Sequence, residues 1–92
     1  MKVAWSQQAK RDRAVIWDYI AARDPDAALR MDQLFSDVAA QLADFPMLGH
    51  DGEIAGTREL TPHRSYRMVY EVIADTVWIL LLTHSARQWP PA

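Results

Sequence analysis

Apolar residues change their spacing along the chain, and each change marks an element. Lys2 to Trp5 is a short, mostly apolar segment with the character of a brief first strand. From Gln7 to about Ala22 the spacing turns helical, with Ala9, Ile16, Tyr19 and Ile20 on one face and Lys10, Arg11 and Asp18 opposite. Ser6 stands where a side-chain oxygen accepts a first-turn N–H, which predicts the helix start. Asp24-Pro25 repeats that signal for a second helix, because proline at the first helical position has no N–H to leave unpaired. The second helix is predicted over Pro25 to Asp44: Ala28, Met31, Leu34, Phe35, Val38, Leu42 and then Phe45 recur at three- and four-residue steps until Pro46 stops it. Only a short connection separates the helices, which makes them an antiparallel hairpin.

Met47 to Gly56 loses all periodicity and carries Gly49, Gly52 and Gly56, so it reads as a loop. Three strands are expected beyond it, Thr57 to Thr61, Ser65 to Ile73 and Thr76 to Thr83, with turns at Pro62 to Arg64 and at Ala74-Asp75. The second link is short enough for a hairpin but lacks the usual glycine. With no helix between them these strands must pair antiparallel, and both helices are left to cover one sheet face. The expected fold is α+β: an N-terminal strand, a two-helix antiparallel hairpin, then three antiparallel strands forming a sheet packed on the helices, in one domain over residues 1–92. The opposite sheet face is expected to stay partly open.

Composition narrows the chemistry. Half the residues are apolar and four are Trp, which argues against disorder. The absence of cysteine removes disulfides, thiolate nucleophiles and thiolate metal sites. A formal charge of -2 is too small for bulk attraction to nucleic acid or a membrane, so an anionic partner must be met by a local cluster. The longest apolar run, Val77 to Leu82, falls far short of the roughly 20 residues of a membrane span, and a cytoplasmic protein with no membrane partner is expected. His50, His63 and His84 have no metal-ligand spacing, the glycines lack the Gly-Lys-Ser/Thr of a phosphate loop, and no serine sits in a nucleophile elbow. No metal and no cofactor are expected.

The remaining chemistry lies in the last third. Arg58, Arg64 and Arg67 come from neighbouring segments, and His84 and Arg87 follow the last strand. Guanidinium forks suit phosphate or carboxylate, and an imidazole exchanges protons near neutrality. Arg67, His84 and Arg87 therefore make a conceivable RNA-cleaving set, one group activating the 2'-hydroxyl and the others stabilising the phosphorane and leaving oxygen. The structural alternative pairs the arginines with Glu59 or Glu71 and leaves the histidine as a hydrogen-bonding plug; spacing alone favours it. Trp17 and Trp78 are expected in packing, and Trp89, beyond the last strand, as a lid on the core or a partner contact, with the lid favoured.

Trp5, Asp18-Tyr19-Ile20-Ala21, Ala27-Ala28, Phe45-Pro46, Gly49, Gly56-Thr57-Arg58-Glu59-Leu60, Tyr66-Arg67-Met68-Val69-Tyr70 and His84-Ser85-Ala86-Arg87-Gln88-Trp89-Pro90 together resemble the RelE/ParE toxin superfamily of bacterial toxin-antitoxin modules. Each motif is short; their order covers essentially the whole chain. The resemblance implies a small α+β toxin in a hetero-oligomer with a cognate antitoxin, ParD-like or another small DNA-binding protein, docked on the helix hairpin at Ile16, Tyr19, Ile20, Met31 and Phe35. It also implies one of two targets. RelE-like members cut messenger RNA on the ribosome, and Arg67, His84 and Arg87 would then be catalytic. ParE-like members inhibit DNA gyrase, with Arg58, Arg64, Arg67, His84, Arg87 and Trp89 as target contacts. The segment Arg58-Glu59-Leu60-Thr61 lacks a lysine pair, no tyrosine follows Arg87, and the only lysines are Lys2 and Lys10. The ending resembles the ParE branch more closely, which implies a gyrase-directed, non-enzymatic toxin, with the ribonuclease and an inactive antitoxin-binding corepressor as the alternatives.

Overall fold

A computed structural model describes residues Met1–Ala92. The elements follow in the order β1 (Lys2–Trp5), α1 (Gln7–Ala21), α2 (Pro25–Asp44), β2 (His50–Asp51), β3 (Arg58–His63), β4 (Tyr66–Ile73) and β5 (Thr76–His84). Local chemistry fixes the helix starts. Ser6 Oγ accepts from the Ala9 N–H at 3.0 Å and donates to the Leu80 carbonyl at 2.7 Å, so the cap of α1 also ties the helix to β5. Asp24 Oδ1 accepts from the Ala27 N–H at 3.1 Å, with Pro25 opening α2. No helix is long and apolar enough to cross a membrane.

The five strands form one mixed sheet in the order β1-β5-β4-β3-β2. The antiparallel pairing of β3, β4 and β5 is as expected, and the Ala74-Asp75 hairpin closes with Ile73 opposite Thr76. Ala74 takes a φ of 53°, supplying without glycine the positive φ that a two-residue hairpin requires. Two features go beyond the sequence reading. β1 lies parallel against β5, Lys2 opposite Thr76 and Trp5 opposite Ile79, with both helices and the other three strands between them in the chain. The segment read as loop also contributes β2, whose two residues pair with Glu59 and Arg58 and extend the sheet to five strands. Two residues are too few to carry a periodicity.

The helices cover one sheet face. Phe35, Leu42, Met68, Tyr70, Val77 and Ile79 are all fully buried there, and Phe35 meets Tyr66 edge to face with centroids 5.8 Å apart. Arg13 ties the helical layer together: its guanidinium binds Asp32 Oδ1 at 2.6 Å and Ser36 Oγ at 2.6 Å and lies 4.7 Å over the Trp5 ring. The other face carries Glu59, Val69 and Leu81 in one register row, flanked by Arg67 opposite Thr83 and Glu71 opposite Trp78. A register shift between Val69 and Tyr70 re-phases β5 so that Val77, Ile79 and Leu82 all reach the core. Trp78, expected in packing, lies on this uncovered face and is 39% exposed.

Candidate functional site

The arginines do not converge. Arg58 sits at the β2 end of the sheet, where Nη1 donates to Asp51 at 2.9 Å and Nη2 donates to the Gly49 carbonyl. It secures the loop before β3, with both terminal nitrogens engaged and Nε buried without a partner. Arg67 points to the face away from the helices, with Nε 3.4 Å from Glu59 Oε1. Arg64 and Arg87 are exposed and pair with no carboxylate. The Arg64 backbone carbonyl accepts from Ser85 Oγ at 2.8 Å, which sets the turn that starts the C-terminal segment.

Glu59 is the centre of the open face. It is 4% exposed, and its Oε2 accepts from the Glu53 N–H at 2.9 Å and from Trp89 Nε1 at 2.8 Å. A carboxylate this buried is tolerable only when cation and N–H donors surround it, and Arg67, the loop backbone and the indole supply them. Trp89 is therefore a lid, but over the sheet face away from the helices, where Val69 is 1% exposed, and not over the helix-covered core as favoured from sequence.

A second site lies where α1 faces the ends of β4 and β5. An open groove of about 580 Å³ is lined by Asp12, Val15, Tyr19, Tyr66, His84 and Arg87 among others. Its floor is apolar, Arg87 is the one arginine at its rim, and Val15 and Tyr19 stand 66% and 58% exposed along its wall. Asp12 is tied in place there, its Oδ2 accepting from the Leu82 N–H at 3.1 Å and its Oδ1 from Gln8 Nε2 at 2.7 Å. Burial, with a smaller contribution from Tyr19, pushes the Tyr66 phenol above the ordinary value of about 10, so it remains neutral. His84 stacks edge-on to Tyr66 at 5.4 Å, and its Nδ1 accepts from the Ala86 N–H at 3.0 Å. With Nδ1 held by that backbone donor, the exposed ring is oriented by the turn after β5 and Nε2 is the nitrogen left without a partner within the protein.

The helix-hairpin residues divide in the same way. Tyr19 lines the groove, and Ile20 and Met31 are half-buried against the core. Phe35, 1% exposed, belongs to the core itself and offers almost no area for docking, while Ile16, 9% exposed, is a core residue that also lines the groove. Their stripe on each helix faces the sheet, and the exposed apolar residues stand beside it.

The sequence model of the ParE toxin of the type II toxin-antitoxin system parDE matches residues 3–89. This chain belongs to the ParE toxin family. It is the toxin component of a type II toxin-antitoxin module. It is 36% identical over 90 residues to the Sinorhizobium fredii protein Y4kP, named as a candidate toxin, covering 97% of this chain and 93% of that one. The fold is shared with a chain of the chromosomal ParDE system from P. aeruginosa, at a TM-score of 0.81, 24% identity and coverage of 91% and 95% of the two chains. It is also shared with the YoeB/ParE toxin from Agrobacterium tumefaciens, at a TM-score of 0.66, 18% identity and coverage of 91% and 98%. In this ParE-family chain the residues that sequence reasoning undervalued are Asp51, the partner of Arg58, and Glu59, named only as a neutralising carboxylate. The signal for Glu59 was its register opposite the apolar Val69, which becomes visible only once β3 and β4 are paired.

Proposed function

We propose that this ParE-family toxin arrests growth by binding and inhibiting DNA gyrase in the cytoplasm, without catalysing RNA cleavage, and that a cognate antitoxin blocks it by docking in the groove beside α1. The observation that carries the target assignment is the state of the three would-be catalytic groups. Arg67 is neutralised by Glu59 at 3.4 Å, His84 has Nδ1 occupied by the Ala86 N–H, and Arg87 stands alone at the surface. Such a set binds through exposed cations and apolar surface and has no assembled acid–base pair. Purified toxin is expected to inhibit gyrase supercoiling and to leave mRNA on programmed ribosomes intact. Arg87→Ala should weaken inhibition by about tenfold or more, the usual loss at an interface contact that matters, while His84→Gln should leave it nearly unchanged. General acid–base catalysis contributes about 100- to 10,000-fold, so a His84→Gln loss of that order together with A-site cleavage by the native protein overturns the gyrase reading.

The antitoxin part of the reading is supported by Val15 and Tyr19, large apolar side chains exposed beside a groove rimmed by His84 and Arg87. An amphipathic helix with an acidic flank fits such a wall. Ligand at 100 times its Kd stabilises the species it binds by about 2.7 kcal/mol, so the toxin is expected to melt markedly higher with saturating antitoxin. Val15→Asp should reduce that gain without lowering the melting temperature of the free toxin. An equal gain in both proteins places the antitoxin elsewhere.

A further inference from the structure

The C-terminal segment after β5 is held in two different ways. Ser85 to Arg87 turn on backbone bonds, the Ser85 N–H to the Ser65 carbonyl at 2.8 Å and the Arg87 N–H to the His84 carbonyl at 2.9 Å. From Gln88 to Ala92 no backbone group hydrogen-bonds to the rest of the protein, and the single hydrogen bond is Trp89 Nε1 to Glu59 Oε2, with Trp89 and Pro90 half-buried. The segment nevertheless walls a second groove of about 560 Å³ with Gln88, Trp89 and Pro91, and Arg87 belongs to both this groove and the one beside α1. A strap fixed at one end by a turn and at the other by one side chain has two obvious states, seated and free.

We infer that Glu59 is the positioning residue of this strap: its buried carboxylate seats Trp89 on the open sheet face and thereby fixes the Arg87-Gln88-Trp89 surface. The position argues for it. Glu59 stands opposite Val69, which is 1% exposed, on a face where an apolar side chain would bury area without the desolvation of a charge. Instead the site holds a carboxylate with Arg67 and the Glu53 N–H arranged around it, leaving Oε2 directed at the indole. Hydrogen bonds to a charged group favour the bonded state by roughly 10- to 150-fold, enough to weigh heavily on the seated fraction of a segment with no other hydrogen bond. A surface ordered before its partner arrives binds more tightly by the fraction it no longer has to order. The consequence for gyrase rests on the target reading proposed above.

The test uses the full chain. Backbone order parameters for Gln88, Trp89 and Ala92 are measured by NMR in the native protein and in Trp89→Phe, Glu59→Ala, Glu59→Gln and the Trp89→Phe/Glu59→Ala double variant, with the melting temperature of each. Rigid values near 0.85 are expected at Gln88 and Trp89 in the native protein, and values below about 0.6 in Trp89→Phe, which keeps an aromatic ring but removes the donor. Glu59→Ala should free the strap to the same extent and the double variant no further, while Glu59→Gln, which retains an acceptor oxygen, keeps it seated. Trp89→Phe leaves the ion pair with Arg67 intact, so a strap that stays rigid in that variant overturns the inference even if Glu59→Ala unfolds. Gyrase inhibition is followed in parallel, with the half-inhibitory concentration expected to rise about 10- to 100-fold as the strap is freed. Native protein that fails to inhibit gyrase while its strap still responds to Trp89→Phe sinks the target reading and leaves the anchor standing.

Discussion

Phe35→Ala is expected to destabilise the toxin by about 3–5 kcal/mol, the range for deleting a buried phenylalanine. The side chain is 1% exposed and sits where α2 presses on the sheet, with Tyr66 edge-on at 5.8 Å. Truncation removes the ring's burial, leaves a cavity that a two-helix layer cannot close without shifting α2, and deprives Tyr66 of its partner. In a domain this size each kcal/mol corresponds to about 4–8 °C, so the melting temperature should fall by roughly 12 °C or more. Leu29→Ala, on the exposed side of the same helix at 58% exposure, is the comparison and should cost little. Thermal denaturation of the two variants decides it: similar losses would mean that Phe35 is not a core residue and restore it as a docking candidate.

Phe35 also shows what the sequence did and did not disclose. Its three- and four-residue spacing with Met31, Val38 and Leu42 placed it on the apolar stripe of α2, and Ser6, Asp24-Pro25 and Pro46 set the helix limits through interactions within one turn of chain. Spacing cannot say whether an apolar residue meets the sheet of its own chain or a partner, so Ile16 and Phe35 read like Tyr19 until the helices were docked. The same limit applies to strands. The connections between β3, β4 and β5 are too short for anything but antiparallel pairing, whereas the seat of β1 against β5 depends on a contact more than 70 residues apart in sequence, as at Lys2 and Thr76. The burial of Glu59 was not legible in the same way, because the face it points to is covered by the chain's own C-terminal segment and not by a helix. The neutralisation of Arg67 by a strand carboxylate was legible; the gathering of Arg58 with it was not borne out, since Arg58 faces Tyr70 and the Pro46 to Asp51 loop.

Gly49→Ala is expected to be nearly as damaging as the loss of Phe35, for a steric reason. Gly49 is buried where the loop after α2 crosses the sheet, and its N–H donates to Tyr70 Oη at 2.9 Å while that hydroxyl donates to the Pro46 carbonyl at 2.8 Å. A Cβ at this position would lie 2.6 Å from the Glu59 carbonyl oxygen and 2.9 Å from both Tyr70 Cε1 and Oη. Backbone on one side and a fully buried ring on the other leave the methyl nowhere to go. The loop must lift, which breaks the tyrosine bridge and the Arg58 bond to the Gly49 carbonyl. Overpacking of about 1–3 kcal/mol and a stranded buried N–H of about 1–3 kcal/mol together give a loss of roughly 2–6 kcal/mol. Because the atom struck belongs to Glu59, the strap should loosen with the loop, and the order parameters of Gln88 and Trp89 should fall in any fraction that stays folded. Gly56→Ala separates crowding from backbone conformation: that glycine has a φ of 84° with open space around it, so alanine there should cost only about 1 kcal/mol and leave the strap seated. Equal losses at the two glycines would show that the contact between loop and sheet at Gly49 is not what makes that position intolerant.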